Sequence, residues 1–399
     1  MGWVTLRQPN LRTERLMHTF VGFPMTFWTF VYIAGAVQAA LLALTLWRRP
    51  ANQAANHLLS IWVALTGVDL AVKALYWHLL SSEWFRAYRF VALFPFLYGS
   101  LFYLYVRALV EERRFRPRDV VHLAGFIVML VLNSYVFVAS DTQLQALSAR
   151  WIAGERTIGL WFDGPLFLYS LSYVMAALAL LRSYRRQLHQ QRSDADRLSL
   201  RWIDAMAGFQ IAIWSLAILQ ALVYVPLLNY GLLFGLVAAW VWMVGWFSLS
   251  QPPVQARPAA SSSQPGREQG EQEPTAAIDT ARFADVEARL AQLMNNDAPL
   301  YLEPALTIGQ VAKRSGYPEY LVSAVINRRL GGSFCDYVNR LRVEAVRARL
   351  ADPSESRTIL DLAYACGFTS KSTFNAAFKK QVGDTPSSYR RQHAATPVT

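Results

Sequence analysis

The chain has 399 residues, of which 54% are hydrophobic and 13% aromatic, and it carries a net charge of +12. With a mean hydropathy of +0.20, that aromatic load excludes an ordinary soluble domain, because average globular chains hold fewer apolar residues and far fewer rings. The apolar excess lies entirely in the first 250 residues.

Residues 1–26 read as an extracytoplasmic segment, with Met17 or Met25 as alternative starts. Apolar runs long enough to cross a bilayer, about 20 residues each, follow at Phe27 to Trp47, His57 to Leu79, Phe90 to Val110, Val120 to Ala139, Phe162 to Leu181, Trp202 to Tyr224 and Tyr230 to Leu249. This predicts a seven-helix domain over residues 27–250. The first run is too long for the core of a cleavable signal peptide, and Arg48-Arg49-Pro50 follows it in place of a small-residue cleavage site. It is expected to remain in the mature chain.

Orientation follows from basic residues. On one side fall Arg48, Arg49, Arg107, Arg113, Arg114, Arg116, Arg118, Arg182, Arg185, Arg186, Arg192, Arg197 and Arg201, thirteen in all. The other side holds seven: Arg7, Arg12, Arg15, Arg86, Arg89, Arg150 and Arg156. Because basic loops stay in the cytoplasm, the N-terminus is expected outside and the C-terminus inside, in an inner (cytoplasmic) membrane. Within the second run, Asp69 and Lys73 lie four residues apart, on one helical face. Each charge alone costs roughly 2.5–3.5 kcal/mol at mid-bilayer depth. The pair reads either as part of a signal-binding site or as a structural ion pair between helices.

Residues 251–280 are Pro, Gln, Ser, Ala and Glu with almost no large apolar side chain, the composition of a flexible linker with a reach of roughly 30 Å. The part of the chain that follows is therefore expected to move relative to the bilayer. Over residues 281–300 a short amphipathic helix carries Phe283, Val286, Leu290 and Leu293 on one stripe. That stripe either packs on the domain that follows or forms a short dimer helix.

An imperfect repeat then dominates residues 301–392: IGQVAKRSGY from Ile308 recurs as ILDLAYACGF from Ile359. Each copy has the spacing of a helix-turn-helix. Ile308, Val311 and Ala312 share a face, Gly316 permits the turn, and Val322 and Ile326 form the buried side of the next helix. Ile359, Leu362, Ala363, Gly367, Phe374 and Phe378 repeat the pattern. Phe334 to Leu350 reads as one connecting helix of roughly 25 Å. It can set the second helices of the two units about one DNA turn, roughly 34 Å, apart. From Tyr301 onward fourteen Lys and Arg face eight Asp and Glu, a net of +6 (14 − 8), which suits a phosphate surface. Cys335 and Cys366 fall in helices of this cytosolic part, where disulfides are not expected; Cys366 occupies an apolar core slot. Residues 393–399 form a tail.

The stretch ILDLAYACGFTSKSTFNAAFKKQVGDTPSSYR resembles the signature of the AraC/XylS family of transcriptional regulators. YLEPALTIGQVA and NRLRVEAVRARL resemble that family's first unit and connecting helix. The resemblance covers about the last hundred residues and does not extend to the apolar runs. It implies groove-facing positions Glu319, Tyr320, Ser323, Ala324 and Asn327 in the first recognition helix, and Lys371, Ser372, Thr373, Asn375 and Ala376 in the second. Ala376 stands where the family often has Arg. Arg328, Arg329, Lys379, Lys380 and Arg390 are the implied phosphate contacts.

The expected fold class is thus all-α: a seven-transmembrane-helix bundle, a flexible linker and a double helix-turn-helix DNA-binding domain. The expected function is membrane-anchored, sequence-specific transcription regulation, with a transporter or receptor-like protein bearing a regulatory tail as the alternative. No HExxH, Walker A or GxSxG motif is present, so no enzyme and no cofactor is expected. The expected partners are double-stranded DNA, the lipid bilayer, RNA polymerase, a second copy of the chain and an unidentified small-molecule or membrane signal.

Overall fold

The structure is a computed structural model and describes residues 11–75, 84–152, 160–195, 200–223, 228–249 and 276–394. Among these residues every regular element is helical, and the one β-type feature is an isolated antiparallel bridge between Arg192 and Thr307. The chain divides into two compact units: Met1–Leu181 with Arg201–Arg257, and Arg182–Leu200 with Pro258–Thr399.

The first unit holds α1 (Leu11–Arg48), α2 (Gln53–Ala74), α3 (Phe85–Val91), α4 (Pro95–Glu111), α5 (Ala124–Leu132), α6 (Ser134–Val138), α7 (Asp141–Ile152), most of α8 (Leu160–Gln191), α9 (Arg201–Leu222) and α10 (Phe234–Leu249). Small residues bring its helices close. A side chain at Gly67 would meet the Ala39 methyl at 2.9 Å, and one at Gly99 would meet the Ser170 backbone at 2.8 Å. Such contacts let apolar helices pack where no hydrophobic drive separates protein from lipid. Trp62 fills the interior beside Trp240 and Phe102, with ring centroids 4.4 and 5.8 Å away.

Among the described residues, six helices are long and apolar enough to cross a membrane: Phe27–Arg48, Gln53–Ala74, Phe85–Glu111, Gly164–Gln191, Arg201–Leu222 and Gly231–Ser248. Seven runs were expected, and the run from Val120 to Ala139 is not among these helices because it is not one continuous helix. A 3-10 stretch at Pro117–Leu123 leads into α5, which ends at Asn133 before α6 begins. The physical cause is a side chain: Asn133 donates to the Met129 carbonyl at 2.8 Å and accepts from Arg89 at 2.9 Å. Hydropathy averaging passes over a single such residue.

The outer surface of the first unit is apolar. Phe27, Phe30, Ile33, Val37, Leu41 and Leu44 are all exposed along α1 at helical spacing, and Val121, Val128, Val131, Leu132 and Val138 are exposed along the broken segment. In water a stripe of this extent would be an aggregation liability.

In the second unit, α11 (Ala276–Asn295) precedes five domain helices and a closing one: α12 (Ile308–Ser315), α13 (Glu319–Arg328), α14 (Phe334–Leu350), α15 (Ile359–Ala365), α16 (Lys371–Val382) and α17 (Pro386–Ala394). Helix α11 begins at Ala276, inside the stretch expected to be linker; residues 251–275 lie outside the described residues. Of the two readings of its stripe, packing is the one seen. Val286, Leu290 and Met294 are buried in one core with Ile308, Val311, Val322 and Ile326, and Phe283 and Leu293 lie against it.

Candidate nucleic-acid interface

Both helix-turn-helix units are set by local chemistry. Thr307 caps α12 in a reciprocal box with Gln310, and Gly316 ends the helix in the left-handed region at φ 81°. In the second unit Thr358 caps α15 by accepting from the Asp361 N–H, and Ser370 caps α16 by accepting from the Thr373 N–H. Gly367 is doubly constrained: its φ is 88°, and a side chain would meet the Tyr301 and Leu302 carbonyl oxygens at 2.7 and 2.8 Å. This turn packs directly on the segment leading into the first unit.

Helix α14 joins the two units by serving both cores. Its first half puts Phe334, Tyr337 and Val338 into the first core; its second half puts Val343, Val346 and Leu350 into the second, with Leu362, Phe368, Phe374 and Phe378. Between them sits Arg342, only 1% exposed, a residue that sequence reasoning missed. Its guanidinium donates to the Tyr301 and Glu303 carbonyls, each at 2.7 Å, and to the Ser193 hydroxyl at 3.2 Å. Burial pulls its pKa down to about 10, so it remains charged at neutral pH.

With Val322, Val325 and Ile326 buried, α13 turns Glu319, Tyr320 and Asn327 outward and leaves Ser323 and Ala324 half-buried. Tyr320 is 73% exposed, an aromatic ring held in solvent. Asn327 donates to the Ser323 hydroxyl at 3.3 Å. On α16 Lys371, Ser372, Asn375, Ala376 and Lys379 are exposed, while Phe374 and Phe378 face inward. Ring centroids 5.2 to 5.7 Å apart link Phe368, Phe374, Phe378 and Tyr389 into one aromatic stack behind this helix.

Three of the residues expected at DNA make contacts within the domain itself. Thr373 is 4% exposed, not groove-facing; as the third residue of α16 it turns in, and its hydroxyl takes a hydrogen bond from Ser370 at 2.8 Å. Arg390 donates to the Glu355 and Arg357 carbonyls and so ties down the loop before α15. Lys380 is exposed but pairs with Asp336 at 2.7 Å. Burial would raise the Asp336 carboxyl, yet hydrogen bonds from Lys380 and Ser333 outweigh it and hold the group below the usual carboxylate range. Arg328 and Arg329 lie over the Phe283 ring of α11, and Arg329 pairs with Glu287 at 3.5 Å.

Both cysteines are free and buried, and burial pushes the Cys366 thiol up, away from reactivity. In the first unit Asp69 and Lys73 are 3% and 6% exposed and 3.8 Å apart. Tyr98 donates to Asp69 at 3.3 Å, and the Lys73 ammonium sits 4.9 Å from the ring centres of both Tyr88 and Phe234.

Two capped helix-turn-helix units on one rigid connecting helix, each with an outward polar face, define a DNA-binding domain. Comparison with known proteins agrees. A family model described as a helix-turn-helix domain matches residues 311–392. The regulatory protein SoxS of Escherichia coli is 32% identical over 94 residues, 23% of this chain and 84% of SoxS. The right origin-binding protein of the same organism is 36% identical over 93 residues, 23% of this chain and 31% of its own length. For its melibiose operon regulatory protein the figures are 35% over 89 residues, 22% of this chain and 29% of that one. The chain thus spans under a third of the length of these last two relatives. No solved structure gives a significant match. Through its C-terminal domain the chain belongs to the AraC family of helix-turn-helix transcription regulators.

Proposed function

We propose that this protein is a membrane-anchored regulator that couples a signal met by its N-terminal helices to transcription. The observation that carries the reading is the presence, in one chain, of a unit with six apolar helices and a lipid-ready outer surface and of a double helix-turn-helix domain with open recognition faces.

Topology supports it. Residues Arg182–Leu200 belong to the same compact unit as the DNA-binding domain, so the two share one side of the membrane. Between that loop and the domain lie two candidate spans, α9 and α10, an even number. The loop bearing Arg113, Arg114, Arg116 and Arg118 shares that side, by charge, only if the broken segment around Asn133 also crosses. Counted as a discontinuous span, it restores an odd number and an outside N-terminus. Broken helices at membrane depth are tolerated when the backbone at the break stays satisfied, as it does where the Asn133 amide N–H donates to the Met129 carbonyl at 2.9 Å.

In DNA, Glu319, Tyr320, Ser323, Ala324 and Asn327 read one half-site and Lys371, Ser372, Asn375 and Ala376 the other. Lys379 contacts phosphate, as Arg328 and Arg329 can from the end of α13. Replacing Lys371 or Asn375 by Ala is expected to relax base preference at one half-site by about 1–3 kcal/mol, whereas Lys379→Ala weakens all sequences alike and lowers the salt slope by about one unit. Binding titrations over a library of single-base operator variants at two salt concentrations check this. Changes in α13 and α16 that altered preference at the same base pairs would overturn the two-groove arrangement.

A further inference from the structure

The loop between α8 and α9 does more than connect two spans. Three of its residues are buried against the DNA-binding domain: Ser193, Asp194 and Ala195 are 1%, 5% and 0% exposed. The Ser193 amide donates to the Leu306 carbonyl at 3.0 Å, and Arg192 forms an antiparallel bridge with Thr307, the residue that caps α12. The Ser193 carbonyl accepts from the Cys335 thiol at 3.5 Å, and its hydroxyl accepts from Arg342 at 3.2 Å. Arg192 and Asp194 lock the turn by pairing at 2.8 Å. Leu188 and Ala195 close a small apolar cluster with Cys335, with Tyr184 packed on it.

We propose that Arg192–Ala195 is an intramolecular docking strap, by which the loop between α8 and α9 grips the DNA-binding domain at the cap of α12 and the middle of α14. This rests on the reading of α8 and α9 as membrane-crossing helices. Buried polar groups paired across this contact argue that it is built, since an orphaned buried donor or acceptor costs about 1–3 kcal/mol. Its placement also matters. Leu306 and Thr307 precede the first helix-turn-helix, and Arg342 and Cys335 lie on the helix that spaces the two units. Among the described residues, the polar contacts of Arg192–Ala195 fall on Leu306, Thr307, Cys335 and Arg342 and not on the outward positions of α13 or α16. A shift of α8 or α9 would therefore act on the spacing helix through the strap.

The test uses the full chain in native membranes. A photo-crosslinking amino acid replaces Gln191, with Ser140, on the proposed opposite side, as control, and a protease site is inserted between Gln264 and Pro265. After irradiation and cleavage, the DNA-binding fragment is expected to stay covalently joined to the membrane fragment from position 191 and not from 140. Ala195→Asp, which drives a charge into the closed cluster, is expected to lower that product at least fivefold. The same variant should bind operator DNA in detergent within about twofold of the parent, yet give an altered operator occupancy in cells. Crosslinking from 191 no greater than from 140, or undiminished by Ala195→Asp, overturns the docking. Loss of the crosslink with unchanged occupancy in cells overturns the coupling. Neither outcome touches the assignment of DNA binding, which the operator titration reads separately.

Discussion

Replacing Gly367 by Ala is expected to destabilise the DNA-binding domain by about 2–4 kcal/mol, the sum of strain at a left-handed backbone position, roughly 1 kcal/mol, and overpacking against fixed backbone, roughly 1–3 kcal/mol. The methyl group would stand 2.7 and 2.8 Å from two carbonyl oxygens, of Tyr301 and Leu302. Those carbonyls cannot step aside, because the Tyr301 oxygen already accepts from Arg342 at 2.7 Å. Gly316 supplies the matched control. Its φ is 81°, close to that of Gly367, but nothing lies within 4 Å of an added side chain. Gly316→Ala should therefore cost only about 1 kcal/mol. Urea unfolding of a fragment beginning at Ala276 measures both. Equal effects at the two positions would show that the second turn does not seat on the segment before α12.

The second large effect lies in the first unit. Asp69→Leu or Lys73→Leu alone is expected to cost about 3–5 kcal/mol, because each leaves its partner charged and buried. Changing both to Leu should cost within about 1 kcal/mol of nothing, since a buried pair can be exchanged for packed apolar groups at little net cost. Denaturation in mixed micelles and the yield of inserted protein measure this. The contacts of the pair, one hydrogen bond from Tyr98 and two aromatic faces around Lys73, account for its placement in the interior. A signal-binding role adds a separate expectation: the double variant inserts and binds DNA but no longer answers the signal. A transcriptional response matching the parent's across all inducing conditions would reduce the pair to a structural one.

The helix-turn-helix units were legible in the sequence because their determinants are local. Thr307 and Gln310 stand three apart, Gly316 and Gly367 mark the turns, and apolar residues recur at helical spacing; none of these needs a distant partner. Helix α14 spans Phe334–Leu350 for the same reason. What was illegible depends on partners far along the chain. Lys380 and Arg390 are implied phosphate contacts by resemblance, and Asp336 and the Glu355 and Arg357 carbonyls engage them from 44, 35 and 33 residues away. Thr373 was misread for a subtler cause, although Ser370 three residues earlier was a visible capping signal that places the third helical residue at the cap rather than in the groove. The break at Asn133 is hidden because a window of apolar residues averages over one amide side chain. Arg342 and Ser193 meet across 149 positions, and no periodicity in either segment announces it.

The central claim is that one chain is both embedded in the membrane and bound to specific DNA. It is tested most directly by crosslinking cells that express the full-length protein, washing the inner-membrane fraction free of soluble protein, and sequencing the DNA that co-purifies with the tagged chain. The account predicts that the protein stays in the membrane fraction and enriches a small set of sites with two half-sites about one helical turn apart, and that this enrichment collapses when Lys371 and Asn375 are both changed to Ala. Recovery of the chain in the soluble fraction, or of membrane-bound protein with DNA no more enriched than in the double variant, would contradict it.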